Sequence, residues 1–157
     1  MLAFRSLPIA WASPACRAPK ELMDSYLYLD IFPDVKPALD KLSQYKLAIL
    51  SNGSSKMLTA AVKSAGLKGA FADLISADEV KIYKSSPLVY GLVSQHLGEP
   101  DNAIAFASSN FWDIAGAGSF GFWTCWVNRG KLPDDELGVR PNITVHALDQ
   151  LVTVLEA

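Results

Sequence analysis

The sequence predicts an α/β fold in which a parallel sheet lies between two layers of helices, a three-layer, Rossmann-like arrangement. Short apolar runs alternate along the chain with stretches of helical periodicity, and this alternation implies right-handed crossovers between parallel strands. Several of the apolar runs stop at small polar or charged residues. Ligands bind at the carboxyl ends of the strands in open parallel sheets. The pattern therefore predicts a fold class and also the edge of the sheet that holds a site.

The first predicted elements lie between residues 21 and 50. Glu21 to Asp30 is a short helix candidate, and a second helix begins after Asp34, whose carboxylate we expect to cap it. Apolar residues at i, i+3, i+4 and i+7 give this second helix one buried face. Lys46 to Leu50 is a short apolar run, typical of a strand that is buried on both sides.

The later elements continue the alternation of helix and strand. Ser54 or Ser55 caps the next helix, and Gly66 ends it. The remaining predicted elements are a strand at Asp73 to Ser76, a helix at Ser86 to Leu97, a strand at Ala103 to Ala107, a helix at Trp112 to Ser119, a strand at Phe122 to Val127, and a last helix with Leu148, Leu151, Val152 and Leu155 as its apolar stripe. Residues 129–142 are rich in Pro, Gly and charge and predict a surface loop, in which Arg129 forms a surface ion pair.

Length and charge limit the classes of function. A chain of 157 residues fits one domain, which at this size buries about 70% of its unfolded surface. The net charge of −2 argues against a general attraction to nucleic acid or anionic membranes, and no apolar run approaches the roughly 18 residues that span a bilayer. Cys16 and Cys125 lack metal-type spacing, so we expect two reduced thiols in a cytoplasmic protein. A small neutral or anionic metabolite is the expected partner.

Three polar segments follow predicted strands. They are Ser51-Asn52-Gly53, Tyr83-Lys84, and the run from Ser108 through Ser109, Asn110, Phe111 and Trp112 to Asp113. Their order and spacing resemble motifs two, three and four of the haloacid dehalogenase superfamily, and the Ser-Ser-Asn-x-Trp-Asp form resembles its L-2-haloacid (type II) branch. The resemblance extends from about residue 29 to the C-terminus. Three motifs in the right order at strand ends are specific evidence, whereas a single motif is weak.

The resemblance divides the chain into two parts. It assigns residues 31–157 to the core and residues 1–30 to an irregular lead-in with a remnant of a helical cap. Members of the family begin with a strand ending in Asp-x-Tyr-Gly-Thr or a close variant, whose first Asp is the nucleophile, and a helical cap follows.

The 157 residues contain no segment of this kind, so we expect an N-terminally truncated member that lacks the central first strand and most of the cap. That strand would lie between the strands ending at Ser51 and Ala107. Its loss would lower stability, because its neighbours lose backbone partners. The apolar Leu2-Ala3-Phe4 is available to fill part of the gap.

The resemblance implies substrate-binding roles for residues in the first and third segments and in the helix after Lys84, and a catalytic role for Lys84. Ser51 and Asn52 match positions that bind the substrate carboxylate or the halide side of the pocket, and Tyr90 and Trp112 match residues that line it. Lys84 matches a lysine that reaches the nucleophilic carboxylate and keeps it ionised. The residues alone also allow plainer interpretations: an ordinary Ser-Asn-Gly turn, a solvated lysine, and a core tyrosine with a satisfied hydroxyl.

The segment after the third strand separates two branches of the superfamily. Its phosphatases usually carry Gly-Asp-x-x-x-Asp there, and the two carboxylates hold Mg²⁺. In this chain Ser109 takes the first of those positions and only Asp113 remains. The resemblance therefore implies no metal and no other cofactor, and it gives catalytic roles to Ser108, Asn110 and Asp113, with Asn110 and Asp113 positioning a hydrolytic water. Alternatively, Asp113 is a charge at a helix N-terminus.

By resemblance the complete enzyme removes halide from a 2-haloalkanoic acid through an aspartyl ester and yields a 2-hydroxy acid. The expected partner is a small 2-haloacid, with neither nucleic acid nor membrane, and a homodimer is possible. We expect the chain alone to be inactive, since the nucleophile is absent from it. Two alternatives stay open: a non-catalytic remnant of the fold that serves as an interaction module, and a phosphatase-like hydrolase, which Ser109 disfavours.

Overall fold

The computed structural model describes residues 25–155. Within them the strands are β1 (Ala48–Ser51), β2 (Asp73–Ser76), β3 (Ala105–Ser108), β4 (Trp123–Val127) and β5 (Ile143–Val145), and the α-helices are α1 (Val35–Lys41), α2 (Ser55–Ser64), α3 (Pro87–Leu97), α4 (Phe111–Phe120) and α5 (Leu148–Leu155). Single 3₁₀ turns occupy Leu42–Gln44, Ala77–Glu79 and Asp101–Ala103. The predicted alternation of strand and helix is confirmed.

Every strand pair in the described residues is parallel. Strand β1 pairs with β2, and β3 pairs with β4, which pairs with β5 in turn. The described strands therefore form one sheet of two strands and another of three. Helices α3 and α4 pack on one face of the strands, and α1, α2 and α5 pack on the opposite face. The arrangement is the predicted three-layer α/β fold.

Alternating side chains of β1 show why its apolar run forms a buried strand. Ala48 and Leu50 pack in the cluster with α3 and α4, whereas Ile49 packs in the cluster with α1 and α2. Successive side chains of a strand point to opposite faces, so a strand covered on both faces needs apolar residues at consecutive positions. The same logic applies to β3, where Phe106 faces α3 and α4 while Ala107 faces α5.

Helix ends follow the predicted signals at two places. The Ser54 side chain accepts a hydrogen bond from the Met57 N–H at 3.4 Å, which caps α2. Gly66 follows α2 with φ 68°, a left-handed conformation that costs glycine little. These local signals fix where α2 begins and ends.

Asp34 does not cap α1 with its side chain, contrary to the prediction. Its carboxylate instead accepts hydrogen bonds from the Arg129 guanidinium at 2.7 Å and from the Leu148 N–H at 2.6 Å. The predicted ion pair of Arg129 is therefore present, but the two side chains are only 17% and 14% exposed. Burial tends to raise the pKa of Asp34, and the Leu148 and Arg129 hydrogen bonds outweigh it and lower that pKa.

Two further predictions need correction. Strand β5 lies just after the predicted loop and was not expected, because three residues are too few to show a period. Tyr26 to Tyr28 form a turn where the helix candidate from Glu21 to Asp30 was predicted to continue. The first four residues of that candidate, together with Leu2-Ala3-Phe4 and Cys16, lie outside the described residues.

A cavity of about 510 Å³ lies between the two sheets, and we call it the inter-sheet cavity. Strands β1 and β3 form its two sides, and helices α1, α3 and α5 contribute side chains from both helical layers. Residues of these elements that line it include Leu39, Leu42, Ile49, Leu50, Val93, Leu97, Ala105, Phe106, Leu148, Leu151 and Leu155.

In the described part of the chain, no helix is long and apolar enough to cross a membrane.

Candidate active site

The carboxyl ends of the strands meet around the connection that carries Lys84. The Lys84 backbone N–H donates to Asn52 Oδ1 at 2.8 Å, which ties this connection to the turn after β1. The Lys84 side chain reaches the other sheet, where Nζ lies 3.2 Å from Asp113 Oδ2. One residue thus joins the ends of β1 and β3. The predicted edge of the fold does bring polar residues together.

Asp113 is the centre of a fully buried polar cluster. It lies in the first turn of α4 and is 0% exposed. Its Oδ2 accepts hydrogen bonds from Lys84 Nζ and from Ser108 Oγ, the latter at 2.9 Å, and its Oδ1 accepts one from the Tyr90 hydroxyl at 3.0 Å. A buried carboxylate needs such compensation, because desolvating a charge is costly. Asp113 is therefore both a charge in the first turn of α4, as the alternative interpretation expected, and the acceptor of a buried hydrogen-bond network.

Burial and the ion pair act in opposite directions on Lys84. Burial lowers the pKa of the Lys84 ammonium, and the adjacent Asp113 carboxylate and its hydrogen bond raise it again, leaving a net lowering. The Lys84 side chain is 1% exposed, and its Nζ lies 5.2 Å from the centre of the Phe106 ring. The alternative interpretation of Lys84 as a solvated lysine is therefore wrong, and Lys84 places positive charge beside the carboxyl end of β3.

Tyr90 fits the interpretation as a core tyrosine with a satisfied hydroxyl, and its role in lining the substrate site stays a prediction. Its ring is fully buried and makes edge contacts with Phe106 and Phe122, while its hydroxyl donates to Asp113. Burial, and then the charge of Asp113, raises the pKa of Tyr90 above its usual range, so the hydroxyl stays a donor. This donor fixes the orientation of the Asp113 carboxylate.

The close approach of Tyr90 to α4 depends on Gly116. A Cβ at residue 116 would lie 2.5 Å from the Tyr90 hydroxyl oxygen and 2.9 Å from Ser85 Cβ. Both distances are shorter than real Cβ contacts. A side chain at this position would push the tyrosine away from Asp113. The glycine in the middle of α4 was not predicted to be functional, and its only sequence signal was a helix-disfavouring residue inside a helix.

Ser51 and Asn52 form a turn whose shape is set by hydrogen bonds. Ser51 Oγ accepts the Gly53 N–H at 3.0 Å, and the buried Ser76 hydroxyl donates to the Gly53 carbonyl at 2.8 Å. Ser76 therefore braces this turn from the end of β2. Sequence reasoning missed Ser76, although it shows the same signal as Ser51: a small polar residue at the end of an apolar strand.

The remaining predicted residues lie in the loop after β3 and at the start of α4, and they differ in burial. Ser108 is fully buried and accepts the Asn110 N–H at 3.2 Å while donating to Asp113. Asn110 is partly buried at the N-cap of α4, and Trp112 is 42% exposed. The Trp126 indole N–H donates to the Ser109 carbonyl at 3.2 Å and holds this loop. Lys84, Tyr90, Ser108 and Asp113 are thus in direct contact, whereas Ser51, Asn110 and Trp112 flank them.

Other titratable groups lie away from this cluster. Within residues 25–155, no group of three His, Cys, Asp or Glu side chains is placed to hold a metal ion. His96 bridges Asp73 and Glu79, and His146 Nδ1 lies 2.9 Å from the Asn128 carbonyl oxygen. Cys125 is a free, buried thiol whose pKa burial raises to about 12.

The three-layer fold and the Lys84–Asp113 pair at its carboxyl edge occur in a chain that matches a class of hydrolase. Residues 7–121 match the family model described as haloacid dehalogenase-like hydrolase. The chain belongs to this family, as the three motifs suggested.

Similar proteins within this class are named as dehalogenases. Haloacetate dehalogenase H-2 of Moraxella sp. (strain B) is 43% identical over 85% of this chain, and (S)-2-haloacid dehalogenase of Pseudomonas sp. (strain YL) is 44% identical over 89% of it. The crystal structure of the L-2-haloacid dehalogenase RSc1362 superposes with a TM-score of 0.86 and 40% identity, covering 90% of this chain and 63% of that one. The chain spans 61% of the length of each of the two curated relatives.

Proposed function

We propose that this chain provides the charge-stabilising and water-positioning part of a 2-haloacid dehalogenase active site. The single observation that carries this proposal is the buried cluster in which Lys84, Tyr90 and Ser108 all donate to Asp113. The names of the relatives support the substrate class, a short carboxylic acid with a halogen at C2. The chain lies in a family of hydrolases, and the carbon–halogen bond is the bond it would help to break.

The reaction needs a carboxylate nucleophile that we find in none of the three motifs. In the proposed sequence of steps, that carboxylate, on a segment outside the 157 residues, attacks C2 and the halide leaves with the bonding electrons. Water then attacks the resulting ester carbonyl, which releases the 2-hydroxy acid and regenerates the carboxylate. In this proposal none of the residues in the three motifs forms the covalent bond.

Each group of residues has a role in those steps. Lys84 places positive charge near the nucleophile and keeps it ionised. Asp113, oriented by Tyr90 and Ser108, positions the attacking water together with Asn110. Ser51 and Asn52 hold the substrate carboxylate at the turn before α2, and Trp112 forms an apolar wall.

The first test joins this chain to the segment it needs. The part of the Pseudomonas sp. (strain YL) relative that precedes its match is fused to the matching residue of this chain, and halide release from L-2-chloropropionate is measured. We expect the chimera to release halide and the isolated chain to release none. A chimera that folds, as circular dichroism and a cooperative thermal transition would show, yet gives no halide contradicts the proposal.

Variants of the chimera separate the two catalytic roles. Lys84→Ala and Asp113→Ala should each lower turnover by roughly 100-fold or more, and Lys56→Ala, an exposed lysine on α2, is the matched control. Mass spectrometry of the protein should find an accumulated ester in Asp113→Ala only, since water attack is the step that fails there. Near-normal turnover in both variants would show that Lys84 and Asp113 have structural roles and no catalytic role.

A phosphatase-like hydrolase is the second candidate, and Ser109 argues against it. A phosphatase of this superfamily would hold Mg²⁺ with two carboxylates, and Ser109 cannot replace a charged ligand of a hard cation. The chimera should therefore keep its dehalogenase activity in EDTA and fail to hydrolyse p-nitrophenyl phosphate with added Mg²⁺. Loss of activity in EDTA with recovery by Mg²⁺ would favour the phosphatase. A folded chimera with neither activity would favour a non-catalytic interaction module.

A further inference from the structure

Ser76 lies at the carboxyl end of β2, and its buried hydroxyl group makes two hydrogen bonds to the backbone. The hydroxyl donates to the Gly53 carbonyl oxygen at 2.8 Å and accepts the Asp78 N–H at 3.2 Å. The residue is 0% exposed, so water cannot take the place of either bond. One hydroxyl group therefore holds two connections together, the turn after β1 and the 3₁₀ turn after β2.

Both of these connections lead to Lys84. Asn52, which precedes Gly53 in the turn after β1, accepts the Lys84 backbone N–H with its side-chain oxygen at 2.8 Å. The 3₁₀ turn Ala77–Glu79 begins the connection along which the chain reaches Lys84. Ser76 is thus linked to the Lys84 backbone by two routes, one through the turn after β1 and one along the chain.

The position of the Lys84 backbone determines where the charge of its side chain lies. The side chain is buried and its Nζ lies 3.2 Å from Asp113 Oδ2. A buried ammonium group has no solvent to replace a lost partner, and a displacement of about 1 Å at a reactive group costs roughly 100-fold in rate. The hydrogen bonds that hold the backbone of this lysine therefore also hold its charge in place.

We infer that Ser76 is a positioning residue for Lys84: its hydroxyl group holds the turn after β1 and the connection to Lys84 at the spacing that places the ammonium group beside Asp113. The catalytic consequence of this inference rests on the proposed function, whereas the link between the two residues can be measured without substrate. A purely structural Ser76, which only satisfies two buried backbone groups, would stabilise the fold and have no specific effect on Lys84.

One test measures hydrogen exchange of the Lys84 amide in the 157-residue chain. Ser76→Ala removes the hydroxyl group, and this amide should exchange about tenfold faster or more, because the turn that carries its acceptor is no longer held. Each rate is divided by the mean rate of the β3 amides, so that a general loss of stability cancels.

Thr124→Val is the matched control for this measurement. Thr124 is also buried, and its hydroxyl group donates to Asn142 Oδ1 at 3.0 Å and accepts the Asn142 N–H at 3.3 Å. These bonds join β4 to the residue before β5 and do not involve the turn after β1. The control should therefore change the relative exchange of the Lys84 amide by less than about twofold.

A second test measures single turnovers of L-2-chloropropionate by the chimera. Ser76→Ala should slow ester formation by roughly tenfold or more and slow ester hydrolysis much less, since Lys84 acts on the nucleophile. Thr124→Val should change neither step. Ser76→Cys keeps the volume of the side chain but donates only weakly, so it should behave like Ser76→Ala and assign the effect to the hydrogen bond. A double-mutant cycle of Ser76→Ala with Asn52→Ala should be non-additive, because both act through the same turn.

Several results would overturn the inference. Unchanged relative exchange of the Lys84 amide in Ser76→Ala, or an equal increase in Thr124→Val, would show that Ser76 is only structural. Strict additivity in the cycle would show that it acts independently of Asn52. Ser76→Cys replaces Ser76→Ala in both tests if the alanine variant lacks a cooperative thermal transition. An inactive chimera contradicts the proposed function and leaves the exchange result intact, whereas an active chimera with unchanged exchange contradicts only this inference.

Discussion

Two charged clusters anchor helix α3, and they differ in their exposure to solvent. In the middle of the helix Tyr90 donates to Asp113, which is paired with Lys84, and the charged side chains are at most 1% exposed. Near the end of the helix His96 lies 2.7 Å from Asp73 and 2.9 Å from Glu79, with side chains that are 27% to 39% exposed. The distances are similar, but the surroundings are not.

The difference shows that burial, more than distance, determines how much an ion pair contributes to the free energy of unfolding. Water screens the exposed cluster, so its contacts add little to the free energy of unfolding. In the buried cluster each charge depends on its partner, because solvent cannot replace a lost contact. The polar groups at the carboxyl edge are therefore mutually dependent, while those around His96 are nearly independent.

Removing one charge of the buried pair should have the largest effect. Asp113→Ala leaves the Lys84 ammonium buried without its carboxylate, and we expect the free energy of unfolding to fall by about 3–5 kcal/mol. Urea denaturation followed by circular dichroism measures this change. The double variant Lys84→Met with Asp113→Ala should recover most of the loss, since no unpaired charge remains.

A loss below about 1 kcal/mol in Asp113→Ala would contradict this view of the cluster. It would indicate that water reaches Lys84 and that the two clusters are equivalent. If the double variant is as unstable as the single one, the loss in unfolding free energy comes from the hydrogen bonds of Tyr90 and Ser108 and not from the charge of Lys84.

A methyl group at Gly116 should have an intermediate effect. Gly116→Ala forces the Tyr90 hydroxyl away from Asp113, and we expect the unfolding free energy to fall by about 1–3 kcal/mol. Gly91→Ala is the matched control in α3, because its Cβ would meet only Phe120 Cζ at an ordinary 3.7 Å. The control should be stabilising by about 0.5–1 kcal/mol through helix propensity. Equal effects of the two substitutions in thermal denaturation would contradict the close packing at Tyr90.

The exposed cluster should produce a small dependence of stability on pH. The hydrogen bond to Asp73 raises the pKa of His96 above its ordinary 6.5, so its contribution is complete below about pH 6.5 and is lost as the pH rises through the higher, folded-state pKa. We expect the unfolding free energy to fall by less than about 1 kcal/mol between pH 6 and 8.5.

A histidine variant isolates this contribution. His96→Gln should flatten the pH dependence measured by urea denaturation, whereas His146→Gln, which changes the other histidine, should keep it. An unchanged slope in His96→Gln would show that groups other than the Asp73–His96–Glu79 contact cause the pH dependence.

Local sequence signals predicted most of the fold. Strand β2 was predicted with its observed bounds, and the helix starts at Ser54 and Ser86 were found within one residue, because caps and apolar runs act over a few residues. Strand β5 was missed, since its three residues depend on pairing with β4 for their structure. The division of the chain at residue 30 stays a prediction.

The sequence proposed the residues of the candidate site but not their contacts. The motifs named Lys84, Tyr90, Ser108 and Asp113, yet no pattern along the chain shows that all of them meet at one carboxylate. Side-chain hydrogen bonds between residues 23 or 29 positions apart depend on how α3 and α4 pack. The same reason explains why Gly116 and Trp126 were missed.

The contact of Asp34 with Arg129 and Leu148 also bears on how the chain assembles. It joins residues 95 and 114 positions apart, and closing loops of this size costs conformational entropy before the contact compensates for it. The start of α1, the end of β4 and the start of α5 must all be in place first. We therefore expect this carboxylate to form its contacts late in folding. Protection of the Leu148 amide from hydrogen exchange would show when the C-terminal helix becomes fixed against the N-terminal half of the domain.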